Sequence, residues 1–389
     1  MTPGERNWIT GAFPGVTTIS HNGPSLIIYT LTPPDPVPVT IAGVAAYFVP
    51  PDYRDEEVVQ VNTRYASPRV PDPLPSIRVP RFTKAKPEQV EAILNALSEL
   101  ADVKALNFVD YYLFVELRTN ERQYEVHSLP GVVAGLTTTY HLSEESIWGQ
   151  QLDSARTRLI VPSAELGIHD STNYSSYGPL CPGVRLSSAP ATPSGAYSSM
   201  SRSTTAGVLL RNKFGHKRIT AALHEFQESE EVFHPDISGI RIGEIDERWN
   251  GLDIALIRPD SSVQFSNEEY FGANPPKRLL HNSQARRGDW YEADGISTGL
   301  VYFQLRGERI LCPPRLLGVD LTYRELVEEL IVYAHAPSCG YVMDGLCGAP
   351  IVHCDPANAG VVGFFHLTVG KICLVAVLNE LIDRGWELA

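Results

Sequence analysis

Apolar and polar positions divide the chain into stretches of different rhythm. Residues 1 to about 75 carry much proline and little periodicity. "LTPPDPVPV" and "SPRVPDPLPSIRVP" are expected to be extended or turn-like, because proline fixes φ and steers its predecessor away from helix. Between them, "TIAGVAAYFV" is expected to form one strand. "RFTKAKPEQVEAILNALSELADV" predicts a helix. Pro87 suits its first turn, and Val90, Ile93, Leu94, Leu97 and Leu100 recur at helical spacing on one face. "VKALNFVDYYLFVELR" then reads as one or two strands. Together these elements predict a small α+β domain over residues 1–177.

Residues 186–204 are rich in Ser, Ala, Pro and Gly, a loop or linker composition. Beyond them, short β runs follow one another: "AGVLLR", "RITAAL", "GIRIGEI", "DIALIR", "GLVYFQL", "ERILC", "LIVYAH", "APIVH" and "GVVGFFHL". Gly, Asn, Asp and Pro turns separate them, a spacing that indicates an all-β barrel or sandwich. The chain closes on "LVAVLNELIDRGWEL", where Leu374, Val377, Leu378 and Leu381 predict a helix.

Composition narrows the function. The chain has 389 residues, enough for two or three domains, and is 43% hydrophobic and 20% charged, as soluble globular proteins are. Its net charge of −13, from 32 bases and 45 acids, opposes a nucleic-acid or anionic-membrane partner. The first residues lack the basic start and apolar core of a secretory signal, and no run approaches the length of a membrane span. The six cysteines (Cys181, Cys312, Cys339, Cys347, Cys354 and Cys373) are therefore expected to be reduced thiols in a cytoplasmic protein. No cofactor is expected.

Three islands in the β-rich part carry candidate chemistry. In "RITAALHEF" an apolar strand runs into His224, and a rigid strand end is a sound mount for a base. His216 and His234 lie nearby in loops and are weaker candidates, and His127 and His141 are expected to be structural or surface residues. In "WNGLDIALIRP" Asp253 opens an apolar strand, where a carboxylate facing inward needs a partner such as an imidazole N–H. The bland alternative is a turn aspartate capping Asn-Gly. In "DGLCGAPIV" Gly345 and Gly348 bracket Leu346 and Cys347. Such glycines let successive N–H groups converge, so the Gly345 and Cys347 amides are candidates for an oxyanion hole. The alternative is a buried cysteine in a glycine turn.

The order His224, Asp253, Cys347 resembles the trypsin/chymotrypsin-like peptidases, where histidine, aspartate and nucleophile come in that sequence. "TAALH" is similar to that family's histidine strand and "LDIALI" to its aspartate strand. "GLCGAP" is similar to its nucleophile loop, with cysteine in place of serine. "ADGISTGLVYFQL" resembles the strand that opens the second barrel in microbial members. The resemblance extends to uncharacterised fungal trypsin-like proteins and to viral 3C-type cysteine proteases, and covers roughly residues 178–389. It implies that the α+β N-terminal domain is followed by an all-β chymotrypsin-like double β-barrel with a C-terminal helix. Barrel one would span about 178–275 and barrel two about 285–389. It also implies an intracellular endopeptidase acting on proteins or peptides with a Cys-His-Asp triad.

Leu346 departs from the family, standing where zymogen-activated members hold an acidic residue for the freed N-terminus. The loop is then expected to be preformed or set by a partner. Tyr341, six residues before the nucleophile, is expected at the base of the primary pocket, with no charge to hold a basic side chain. Phe364, Phe365 and His366 are expected on the strand lining that pocket, although a slip of one residue would turn His366 to the other face. Two alternatives stand beside the peptidase. One is an inactive or partner-activated module that binds proteins. The other is a zinc site from Cys339, Cys347, Cys354, His335 and His353, which lacks the usual C-x₂-C pair. The N-terminal domain is expected to bind a regulatory partner or to dock the peptidase.

Overall fold

The computed structural model describes residues 2–22, 25–32, 34, 38, 40–42, 44–49, 51, 64–65, 70–79, 84–109, 112–118, 129–142, 180–188, 202–226, 230–296, 298–314, 322–335, 345–369 and 372–389. The chain divides into two compact units, Met1–Gln60 and Val61–Ala389.

The first unit starts with a helix, α1 (Pro3–Ala12). Thr2 and Glu5 close a capping box: Thr2 Oγ1 accepts the Glu5 amide at 3.3 Å and Glu5 accepts the Thr2 amide at 2.6 Å. Strands β1 (Val16–Asn22), β2 (Ser25–Thr30), β3 (Thr40–Ile41) and β4 (Val44–Val49) follow, in spatial order β1-β2-β4-β3. Ile9, Ile19, Leu26, Ile28 and Phe48 form its core. The proline-weighted reading of this region missed α1 and the β1–β2 hairpin, whose local signals are the capping box and a short apolar run. The single strand expected in "TIAGVAAYFV" is two, split at Ala42 with φ of 51°.

The second unit begins with β5 (Arg64–Tyr65) and α2 (Pro87–Ser98), then β6 (Val103–Val109), β7 (Tyr112–Leu117), β8 (Val132–Val133) and β9 (Leu136–Leu142). As the sequence predicts, α2 starts at Pro87 and buries Val90, Ile93, Leu94 and Leu97, whereas Leu100 lies past its end and is exposed. The next sheet contains β10 (Arg185–Ser188), β11 (Arg202–Thr205), β12 (Leu209–Arg211), β13 (Lys217–Ala222), β14 (Glu231–His234), β15 (Ile240–Trp249) and β16 (Ile254–Pro259). The second sheet adds β17 (Arg278–Leu279), β18 (Trp290–Ala293), β19 (Val301–Leu311), β20 (Val327–His335), β21 (Pro350–His353), β22 (Gly360–Val369) and β23 (Ile372–Val377). The chain ends in α3 (Asn379–Asp383) and β24 (Glu387–Leu388), which pairs back onto β12.

The expected double-barrel architecture is present as one half-barrel and one closed barrel. The first sheet runs β11-β10-β14-β15-β16-β13-β12-β24 around a core that includes Leu186, Ile219, Val232 and Ile257. The second runs β18-β21-β22-β23-β20-β19, and β18–β19 pairing closes it into six strands. The C-terminal helix is shorter than expected. Leu374 and Val377 belong to β23, because an apolar run between β22 and β20 is buried as a ladder strand.

The chain divides between Gln60 and Val61, and the second unit joins the β6-β7-β9 layer to the barrels. The expected runs "GLVYFQL" and "ERILC" are one long strand, β19. Its first part pairs with β18, while Gly307–Leu311 pairs with β6. The sheet therefore leaves the barrel and continues as β6-β7-β9, with α2 laid on it. A bulge between Leu305 and Gly307 marks the branch point. A Cβ on Gly307 would stand 2.1 Å from the Phe108 carbonyl oxygen, so only glycine lets β6 approach. Gly307→Ala is expected to cost about 1–3 kcal/mol by forcing these strands apart, measured by urea unfolding.

Candidate active site

The first half-barrel mounts a histidine and an aspartate. β13 ends at Ala222, and one 3₁₀ turn (Leu223–Phe226) carries His224. Asp253 sits just before β16 with φ of 55°, a left-handed conformation that aspartate tolerates better than most residues. That turn aims both carboxylate oxygens at His224. Oδ1 accepts the His224 amide at 2.8 Å and Oδ2 meets ring Nδ1 at 2.5 Å. The Leu223 amide is bound by the Asp253 carbonyl at 2.9 Å, so backbone and side chain are held together.

The closed barrel supplies Cys347, whose thiol is close enough to His224 for each group to shift the other's titration. The thiol also lies 3.3 Å from the His366 carbonyl oxygen. The loop is fixed from below. Leu346 is fully buried, packed against Gly295, where a Cβ would meet Leu346 Cδ1 at 2.9 Å. Thr205 Oγ1 donates to the Gly345 carbonyl and Thr204 Oγ1 to the Cys347 carbonyl, each at 2.6 Å. Apolar packing thus occupies the position where the family resemblance would place an ion pair. The Leu346 carbonyl accepts the Ala349 amide at 3.0 Å. In a trans peptide the N–H points opposite to its own carbonyl, so the Cys347 N–H faces away from that turn. Gly345 and Gly348 adopt φ of 103° and 86°, as such a bend requires.

Charge in the site is strongly coupled. Burial opposes a charged His224, but a Cys347 thiolate and hydrogen bonds donated to Asp253 and Glu225 hold its titration well above the ordinary range. Burial pushes the Cys347 thiol up, against the pull of a His224 cation. Asp253 is likewise opposed by burial, yet His224 and His366 keep it below the usual carboxylate range. Glu225 brings a second carboxylate to the imidazole, with Oε1 3.2 Å from Nε2.

The pocket expectations fare differently. Tyr341 lies outside the described residues. Phe364 and Phe365 are both buried, in cores on either side of β22. His366 is the extra residue of a bulge between Phe365 and Leu367. Its Nδ1 meets Glu329 Oε1 at 2.7 Å and Nε2 approaches Asp253 Oδ2 at 3.6 Å. His234 is buried elsewhere, against the Arg185 carbonyl at 2.6 Å, and His216 is exposed. His141 is buried on β9, and His127 lies outside the described residues. So does Cys339 of the zinc alternative. Among the described residues no group of three or more His, Cys, Asp and Glu side chains is disposed to hold a metal ion.

Glu225, Glu329 and the Arg309 beyond it are site-related residues that the motif reading missed. For Arg309 and Glu329 the signal was present: charged positions inside the apolar runs "ERILC" and "EELIVY" need buried partners.

No protein-family model matches the chain, and no curated protein does. Among solved structures it is similar to Thermobifida fusca Protease A at 16% identity and a TM-score of 0.36, over 55% of this chain and 99% of that one. It is similar to a glutamic acid specific serine protease at 12% identity and TM-score 0.36, over 54% of this chain and 100% of that one. A Nocardiopsis protease aligns at 12% identity and TM-score 0.36, over 54% of this chain and 99% of that one. Likenesses this distant say nothing of the chemistry, and the architecture rests on the strand pairings themselves.

Leu346→Ala is expected to cost about 2–5 kcal/mol, the range for emptying a buried leucine site, and to loosen the Cys347 loop. Urea unfolding and the alkylation rate of Cys347 measure the two effects.

Proposed function

We propose that the chain is an endopeptidase with Cys347 as nucleophile, His224 as general base and Asp253 as the residue orienting the imidazole. The observation that carries this reading is the doubly bonded His224–Asp253 pair, with the Cys347 thiol near enough to the same imidazole to couple to its charge. In acylation, Cys347 Sγ forms a bond to the scissile carbonyl carbon and its proton passes to His224 Nε2. The oxyanion of the tetrahedral intermediate would accept from the amides of Cys347 and Gly345. Collapse breaks the C–N bond, and His224 gives its proton to the departing amine. Water, deprotonated by His224, then hydrolyses the thioester and restores the thiol.

Proteins or peptides are the proposed substrates. A reduced, cytoplasmic setting is part of the proposal, supported by free thiols at Cys181, Cys312, Cys347, Cys354 and Cys373. A regulatory partner for the N-terminal region is proposed in the same sense.

Alkylation by iodoacetamide tests the nucleophile. One thiol should react faster than the rest, its reaction should disappear in Cys347→Ala, and it should slow at least tenfold in His224→Ala. Because burial raises the Cys347 thiol and the His224 cation lowers it, removing the cation should move the rate profile to higher pH. A His224-independent rate at every pH would sink the triad.

A second reading, a latent or partner-activated module, is favoured by one observation. Glu225 Oε1 stands at the nitrogen that must accept the thiol proton. If Glu225 restrains the site, Glu225→Gln should speed both alkylation and peptide cleavage severalfold. Unchanged rates would leave Glu225 without that role.

A further inference from the structure

From Asp253 a row of groups of alternating charge, half-buried at His366 and buried beyond it, runs out of the candidate site and across the sheet. His366 Nε2 approaches Asp253 Oδ2 at 3.6 Å, and its Nδ1 meets Glu329 Oε1 at 2.7 Å. Glu329 Oε2 meets Arg309 Nη1 at 2.8 Å. Arg309 then turns the other edge of its guanidinium to Glu116, with Nε at 3.1 Å from Oε1 and Nη2 at 3.2 Å from Oε2. Asn107 Nδ2 adds a bond to Glu116 at 3.1 Å. Strand register builds this row: Glu329 on β20, Arg309 on β19 and Asn107 on β6 are direct cross-strand partners. Glu116, Arg309 and Glu329 are 0%, 1% and 3% exposed.

Ion pairs so deep are weak contributors to stability, since desolvation offsets most of their attraction. Their cost asks for another role. The row ends on the carboxylate that orients His224, and its far members belong to the β6-β7 layer outside the barrel. We propose that His366 is a positioning residue for Asp253, held there as an imidazolium by Glu329, and that the β6-β7 layer completes the site by supplying Glu116 to balance Arg309. The inference rests on the triad reading for its catalytic meaning. Asp253 then serves two histidines, and the cation at His366 restrains protonation of His224, whose ring centre is 6.5 Å away. The charged groups facing His366 are Glu329 from β20 and Asp253 and His224 from the half-barrel, and the Cys347 thiol lies against its carbonyl. Burial opposes its charge, and the Glu329 bond and the two carboxylates override that and raise its titration.

Nitrogen-15 NMR of the histidine side chains in the full chain tests this without requiring turnover. In the wild type, His366 should carry protons on both ring nitrogens at pH 7.5. In Glu329→Gln, which keeps the shape and an acceptor, the His366 titration should fall. Loss of its cation should then raise the His224 titration by about 0.5–2 in pH, the span for two charges 6–7 Å apart between water-like and protein-like screening. Glu116→Gln, two links further out, should lower the His366 titration in the same direction by less. It serves as the second variant if Glu329→Gln does not fold. A neutral His366 in the wild type, or an unmoved His224 titration in a folded Glu329→Gln protein, would overturn the proposal. A charged His366 together with His224-independent alkylation of Cys347 would instead sink the peptidase reading.

Discussion

Arg309 is the constraint around which the rest is arranged. A guanidinium buried in the middle of β19 must have carboxylates on both sides, or it costs several kcal/mol. Glu329 satisfies it from inside the closed barrel and Glu116 from the added layer. The β6-β7-β9 extension therefore cannot be treated as a loosely attached domain. It shares a strand, a core and a buried ion pair with the barrel that carries Cys347. Gly307 makes the sharing possible, because it is the point where one strand passes from one partner to the other without a side chain in the way.

Cys347 is held by different means. Its loop depends on a buried leucine and two threonine hydroxyls rather than on an ion pair with a chain terminus. Apolar packing of this kind is insensitive to pH and salt, and it sets the loop as part of folding. Control over reactivity must then come from the groups around His224. Two carboxylates and a thiol compete for that imidazole, and His366 competes for Asp253. A site with this many mutually dependent charges is poised by its surroundings more than by any single residue.

The order of histidine, aspartate and cysteine was legible because each sits at a strand end or tight turn with a local signature. "TAALH", "LDIAL" and "GLCGAP" are continuous segments whose chemistry depends on neighbours in sequence. The helix at Pro87 was legible for the same reason, since its apolar face repeats within one segment. Phe365 and His366 show where this stopped. A strand read as regular would place them on alternate faces, but the bulge between Phe365 and Leu367 inserts a residue and re-aims His366. Bulges leave no reliable mark in a single sequence, because they answer to the twist of the sheet around them.

By itself the sequence determined which side chains can do chemistry and in what order they come, because catalytic residue types and their immediate turns are local properties. It determined the all-β character of the second half through spacing alone. Only the tertiary structure decided where the chain divides, which strand β6 would join, and that Glu116, Arg309 and Glu329 would meet. Those are contacts between residues far apart in the chain, in one case 193 positions apart. They are fixed by cross-strand register and by the need of every buried charge for a partner, and neither can be read from a single segment.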